Sequence, residues 1–290
     1  MRFLDAEATR AALPMSDAIA AMELAFGDDI EVPVRNALGP SLFMSGRVGT
    51  TTGVKVVSTV PGRPFGIVAV FGDDGACRGL VDGPTLTAIR TAAGAGLATR
   101  YLARPDARTM AMLGAGAMAA DQIAAVQEVR PVGDVLVWSR TFDNAEALAD
   151  RIDGTAVESA DEAVSVADVV TTATPSTRPL FDAGAVRPGT HINAVGAFTH
   201  EMVEIPAEVV RAAHVFVDDV SAAIDEAGDL HQAGVDPSMT IGDLVGGRRP
   251  GRRSHDDTTL FKSVGIASQD VAAASAALDN ADTAGLGTEI

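Results

Sequence analysis

The residues best suited to chemistry begin at Gly114-Ala115-Gly116-Ala117-Met118-Ala119, a G-x-G-x-x-A run after an apolar stretch and before a helical one. In that setting the first glycine permits a tight turn and the second lets backbone approach a pyrophosphate. Ala119 allows close packing of helix on strand. Amides at the helix N-terminus then supply the anion site. A plain glycine turn in an alanine-rich chain is the alternative, and the flanking pattern favours the dinucleotide site. About 20 residues further on, an NAD site places Asp or Glu for the ribose 2′-hydroxyl. Here the chain has Trp138-Ser139-Arg140-Thr141. Ser139 and Thr141 offer hydroxyls, and Arg140 a guanidinium fork that suits a 2′-phosphate. The expected cofactor is NADP(H) in preference to NAD(H).

Three cations lie in unexpectedly apolar settings. Arg35 ends Val32-Pro33-Val34-Arg35, and Lys55 alternates with Val54 and Val56, so that it shares a strand face with Val57. Arg90 lies one turn from Leu86 on a helix whose Gly94 and Gly96 invite close backbone approach. Half-buried cations need anionic partners. Structural carboxylates and a shared site for an anionic ligand both satisfy that need. Of the 22 basic residues only Lys55 and Lys262 are lysines.

The elements that must position these groups fall into three textures. Residues 1 to about 105 hold a helix over 16–26, strands over 53–60 and 66–71 with a turn at 72–75, and a long helix over 84–102. From about 108 to 230, apolar runs at 109–113, 134–138, 168–172, 191–195 and 215–217 alternate with helices such as 119–129 and 145–152. Near-continuous apolar strands separated by helices imply a parallel sheet covered on both faces. Residues 246–257 read as a basic loop, 268–278 as a helix, and the polar tail as disordered.

Composition narrows the partners. The net charge of −17 repels nucleic-acid phosphates and anionic lipid. The apolar runs are too short to span a bilayer, and the acids in Met1–Glu7 do not suit a leader peptide, so a cytoplasmic location is expected. A single cysteine, Cys77, excludes an intrachain disulfide and a multi-cysteine metal site. No histidine spacing supports a metal.

Four separated motifs carry a family resemblance. They are Leu86-Thr87-Ala88-Ile89-Arg90-Thr91-Ala92-Ala93, the Gly-Ala-Gly run with Trp-Ser-Arg-Thr, His191-Ile192-Asn193-Ala194-Val195-Gly196-Ala197, and Leu260-Phe261-Lys262-Ser263-Val264-Gly265. In order and content they resemble the ornithine cyclodeaminase/mu-crystallin family, from about residue 35 to 274. The resemblance implies an α/β fold: a Rossmann dinucleotide-binding domain (108–255) inserted into an α+β substrate and dimerisation domain (1–107 plus 256–290), assembled as a homodimer. It places Arg35 at the substrate carboxylate, Lys55 at the substrate as the candidate proton donor or acceptor, and Arg90 near the cofactor phosphates and the substrate. Thr174 and residues 192–195, Ala194 and Val195 among them, would line the nicotinamide half. Ala117 and Met118 would make the glycine-loop contacts to the cofactor, Ser263 would touch the cofactor and Val264 the substrate.

One departure is informative. True ornithine cyclodeaminases carry an aspartate where this chain has Phe198, and a phenyl ring neither binds an ammonium by charge nor moves a proton. The Gly-Ala-Phe-Thr run resembles the pyrroline-2-carboxylate, or ketimine, reductase branch. The expected activity is NAD(P)H-dependent reduction of a small carboxylate-bearing cyclic imine, with Phe198 beside the substrate. Alternatives are an alanine dehydrogenase-like or ornithine cyclodeaminase activity, or a non-catalytic protein that holds NADPH and a small carboxylate. Relative to the family the chain has compressed connections around 27–32 and 61–66, which implies a different pocket wall near Pro64. Structural roles are expected for His191 and His214, loop positions for His231 and His255, and core positions for Trp138 and Tyr101. Asp218, Asp219, Asp225 and Glu226 read as solvated helix-start acids. Arg248, Arg249, Arg252 and Arg253 read as a solvated loop, with an oligomer contact as the alternative.

Overall fold

The computed structural model describes residues 1–60 and 65–290, so Pro64 lies outside the described residues. The chain divides into two compact units, Met1–Gly94 with Ile266–Ile290, and Ala95–Gly265. The division falls inside one continuous helix, Gly83–Leu102, ahead of the boundary expected after residue 107, and its return falls after residue 265 rather than 255.

The first unit is a largely antiparallel sheet of strands β1 (Arg2–Leu4), β2 (Ile30–Glu31), β3 (Asn36–Leu38), β4 (Ser41–Val48), β5 (Thr51–Ser58), β6 (Gly66–Phe71) and β7 (Cys77–Asp82). The expected disordered tail instead contributes an edge strand, Thr288–Glu289, which pairs antiparallel with β1. A row of aligned residues crosses the middle of this sheet, Gly46 opposite Gly53, then Val70, then Gly79. Helix Ala267–Ala284 lies in the trough these glycines leave. A Cβ on Gly53 would stand 2.9 Å from Val271 Cγ2, and one on Gly79 would stand 2.5 Å from Leu278 Cδ2. Glycine in a strand marks such close approach. The next row on the same face is Met44, Lys55, Val68 and Val81, so the register that seats Val271 on Gly53 also brings Asp270 to Lys55.

The second unit is a seven-stranded, wholly parallel sheet. Its strands are β8 (Thr109–Leu113), β9 (Asp134–Trp138), β10 (Thr155–Ala156), β11 (Val169–Thr172), β12 (His191–Ala194), β13 (His214–Val217) and β14 (Thr259–Lys262). Their spatial order is β10-β9-β8-β11-β12-β14-β13. The order reverses between β8 and β11, the place where open parallel sheets bind ligands beyond their strand ends. Met110, Ala111, Met112 and Leu113 are all buried, as strands covered on both faces require. Strand β14 was not legible in the sequence, because Leu260-Phe261-Lys262 carries a lysine within its apolar run.

Several surface expectations are corrected here. Tyr101 is 36% exposed and is not core. Arg252 is no solvated loop residue: it donates to the carbonyls of Leu102 and Asp257, tying the loop to the C-terminal end of the long helix, where carbonyls lack helical partners. His231 lies on helix Gly228–Ala233, stacked on His200 with ring centroids 4.8 Å apart. Among the described residues no helix is long and apolar enough to cross a membrane, and no group of three or more His, Cys, Asp or Glu could hold a metal.

Candidate functional site

In the parallel unit the chain turns at the end of β8 through Gly114, whose φ of +117° favours glycine. A Cβ there would stand 2.8 Å from the Ala173 carbonyl oxygen. A Cβ on Gly116 would meet nothing within 4 Å, so this is backbone that a phosphate can approach. Met118 then caps helix Ala119–Val129, with Ala117 exposed beside it. A cavity of about 590 Å³ lies beyond the strand ends, lined by Gly114 and Gly116, by Ser139, Arg140 and Thr141 after β9, and by Thr174 after β11. Trp138 lines it too, half-buried and packed against the hydrophobic core. The glycine turn and the open approach at Gly116 fit a dinucleotide.

Behind the cavity stands a buried charge network that the sequence did not reveal. Glu204 bridges the ends of β11 and β12. Its Oε1 accepts from the Thr174 amide (2.7 Å) and hydroxyl (2.9 Å), and its Oε2 from the amides of Gly196 (2.8 Å) and Ala197 (3.0 Å). Asp229 Oδ1 accepts from the amides of Glu204 and Ile205. Lys262 pairs with Asp229 Oδ2 at 2.9 Å and donates to the Ala197 carbonyl at 2.5 Å. Burial pushes the Glu204 carboxyl up, against the pull of Lys262 and the Thr174 donors. Gly196 admits no side chain, since a Cβ would stand 2.2 Å from the Thr174 nitrogen.

Asp218 is corrected from a solvated acid to a buried one. Its Oδ2 accepts from the Ser263 hydroxyl (2.9 Å) and from the amides of Val264 (2.9 Å) and Gly265 (2.6 Å). Burial raises its carboxyl against these donors. The Ser263 hydroxyl is therefore held by the protein, while Asp219 is the helix cap that was expected. Ala194, expected at the cofactor, has no accessible surface; with Ile192 it builds the sheet beneath the site. Val195 and Val264 are nearly buried, and Phe198 is 53% exposed. His191 is buried between Thr259 and Asn193 as a structural histidine. Burial, with Arg252 nearby, lowers its pKa to about 3.

In the first unit, Lys55 and Arg90 come together on one acid. Lys55 Nζ lies 3.1 Å and Arg90 Nε 3.0 Å from the same oxygen, Asp270 Oδ1. Lys55 is 3%, Arg90 6% and Asp270 1% exposed. Gln269 Oε1 accepts from Arg90 Nη1 at 3.1 Å and from the Ile266 amide at 2.9 Å, which fixes the start of the helix. A Cβ on Gly94 would stand 3.0 Å from Gln269 Nε2, so the close approach expected at that glycine is made. Burial lowers the Lys55 pKa to about 8. Asp270 opposes that shift, while the charges of Arg90 and Arg35 add to it. Two buried cations thus share one carboxylate, an excess of positive charge suited to an anion. Losing Asp270 would strand both cations, at a cost of about 3–5 kcal/mol. Neither Asp270 nor Gln269 was legible in the sequence, where Ser268-Gln269-Asp270 looks like an ordinary helix start.

Fold and site together define a two-unit dinucleotide-binding α/β protein whose other unit carries a buried cation pair. The chain belongs to the ornithine cyclodeaminase/mu-crystallin family, whose sequence model matches residues 44–285. It is 34% identical over 230 residues to the ketimine reductase mu-crystallin of Macropus fuliginosus, covering 79% of this chain and 73% of that one. It is 35% identical over 260 residues to a Delta(1)-pyrroline-2-carboxylate reductase of Bacillus cereus, covering 82% and 80%. The solved Thermococcus litoralis Delta(1)-pyrroline-2-carboxylate reductase, in complex with NADH and L-proline, matches with a TM-score of 0.94 at 30% identity, covering 100% of both chains.

Proposed function

We propose that this protein is an NAD(P)H-dependent oxidoreductase that reduces a small cyclic imino acid of the pyrroline-2-carboxylate or piperideine-2-carboxylate type to the cyclic amino acid, with NADP(H) preferred. The observation that carries the reading is the pair of buried cations on a single carboxylate, in a chain that also bears a dinucleotide turn. Arg35, Lys55 and Arg90 bind the substrate carboxylate. Fixing that group orients the adjacent C=N carbon and makes the reaction effectively unimolecular. When bound, the nicotinamide supplies the hydride, which adds to that carbon while the nitrogen takes a proton. Lys55 holds that proton at Nζ, and its lowered pKa suits a group that donates near neutral pH. Phe198 brings no charge to the substrate's amine side, which disfavours a linear diamine. Arg140 at the end of β9 supports a 2′-phosphate.

A homodimer is part of the same reading. On the sheet face opposite Lys55, Phe43, Val56 and Ile67 are aligned across β4, β5 and β6, and Phe43 and Ile67 are exposed. An apolar row of that kind supports a protein interface. The test of function is NADPH oxidation with five- and six-membered cyclic imino acids, pyruvate plus ammonia, and NADP+ reduction with ornithine, in parallel. Turnover confined to the cyclic imino acids supports the reading, and turnover only with ornithine or pyruvate overturns it.

A further inference from the structure

Resting on the role given to Lys55 above, we propose that Asp270 is a positioning residue for the reaction: one carboxylate oxygen, shared by Lys55 and Arg90, fixes both cations and keeps Lys55 in its protonated, donor-competent form. Three independent features carry this. The helix bearing Asp270 is seated by the glycine trough, so the contact follows from the register of Gly53 against Val271. Asp270 Oδ1 takes both cations, while its Oδ2 is buried with no hydrogen-bond partner among the described residues. With no donor on the second oxygen among the described residues, the side-chain hydrogen bonds of Asp270 go to the two cations alone. Finally, Asp270 is the anion among the largest influences on Lys55, and the neighbours Met44, Val68, Arg90 and Arg35 are apolar or cationic. Met44 and Val68 flank it on the sheet, Arg90 faces it from the long helix, and the charge of Arg35 reaches it from the segment before β3. Arginine does not release a proton in a protein, so the mobile proton of the cluster is the one on Lys55.

The scarcity of lysine makes the test direct. Full-length protein labelled with 15Nζ-lysine, with NADPH bound, gives two side-chain resonances, and Lys55→Arg identifies which belongs to Lys55. The wild-type Lys55 midpoint is expected near 8. Asp270→Asn should lower it by about 1–3 units, leave the Lys262 resonance in place, and shift the alkaline limb of kcat/KM for 1-pyrroline-2-carboxylate by the same amount. Asp270→Glu should restore most of the shift. Arg90→Met, which removes a neighbouring cation, should move the midpoint upward and serves even where the Asp270 variants fail to fold. An unchanged Lys55 midpoint in Asp270→Asn, or in Arg90→Met, overturns the proposal. If the wild-type protein reduces no imino acid, the functional reading fails while the resonance shifts still decide the role of Asp270.

Discussion

Glu204 offers the sharpest test of how the parallel unit is held together. Its four accepted hydrogen bonds clamp the loops after β11 and β12, on which Thr174 and Phe198 stand. Glu204→Gln preserves shape but leaves one acceptor oxygen. The better rotamer keeps that oxygen on the Gly196 and Ala197 amides and turns the NH2 toward Thr174, whose hydroxyl can rotate to accept. The Thr174 amide is then unsatisfied, at about 1–3 kcal/mol. The two surviving bonds also fall from charge-assisted to neutral strength, roughly a halving. Relief of a buried anion offsets part of this, so the net loss is about 2–4 kcal/mol. For a unit of this size that lowers Tm by roughly 4–16 °C.

Thermal melting by circular dichroism, with and without NADPH, measures the effect, and NADPH fluorescence titration reports the loops directly. Thr174→Val serves as the graded control, since it removes the hydroxyl's donation to Glu204 and its acceptance from the Ser176 amide and costs about 1–2 kcal/mol. A Glu204→Gln protein that melts within about 1 °C of wild type and binds NADPH with unchanged Kd would refute the clamp.

Arg140→Asp should raise the KM for NADPH by roughly tenfold or more and invert the preference toward NADH, measured as the ratio of kcat/KM for the two cofactors; an unchanged ratio sinks the 2′-phosphate assignment. With Lys55 as donor, the active protonated form is lost as pH rises through about 8, so kcat should fall above that pH. Lys55→Met should abolish turnover at all pH values while NADPH still binds. Ile67→Asp, placing a carboxylate in the exposed apolar row, should weaken the proposed dimer by about two orders of magnitude or more, read by analytical ultracentrifugation.

The parallel unit was legible because its strands are buried on both faces and so spell themselves as apolar runs. The glycine turn needed no tertiary information, since the residues that shape it are adjacent in sequence. The acids were not legible, for a definite reason. Asp270 meets Lys55 from 215 positions away, and Asp218, Glu204 and Asp229 find their donors on loops that only the sheet order brings together. A carboxylate at a helix start has the same local pattern whether it faces water, as Asp219 partly does, or is enclosed, as Asp218 is. Local pattern likewise placed Arg252 in solvent, because nothing nearby in sequence announces that the long helix ends against it.

The lysine count takes its meaning from that distinction. A chain that uses arginine at nearly every basic position keeps lysine where a guanidinium cannot serve, and the two places make different demands. Lys262 has no accessible surface and meets the Ala197 carbonyl and Asp229 with a compact head. An arginine there would bring five N–H donors in a rigid fork to a space with few acceptors, leaving some buried and unsatisfied. That lysine is a structural fastener, and the family motif containing it does not make it a ligand contact. Lys55 is also buried, but it stands among a surplus of positive charge with its pKa already near 8. Its distinguishing property is a proton that can leave. On the proposed reading, shared burial hides opposite functions: one lysine is retained for the size of its charge, the other for its reversibility.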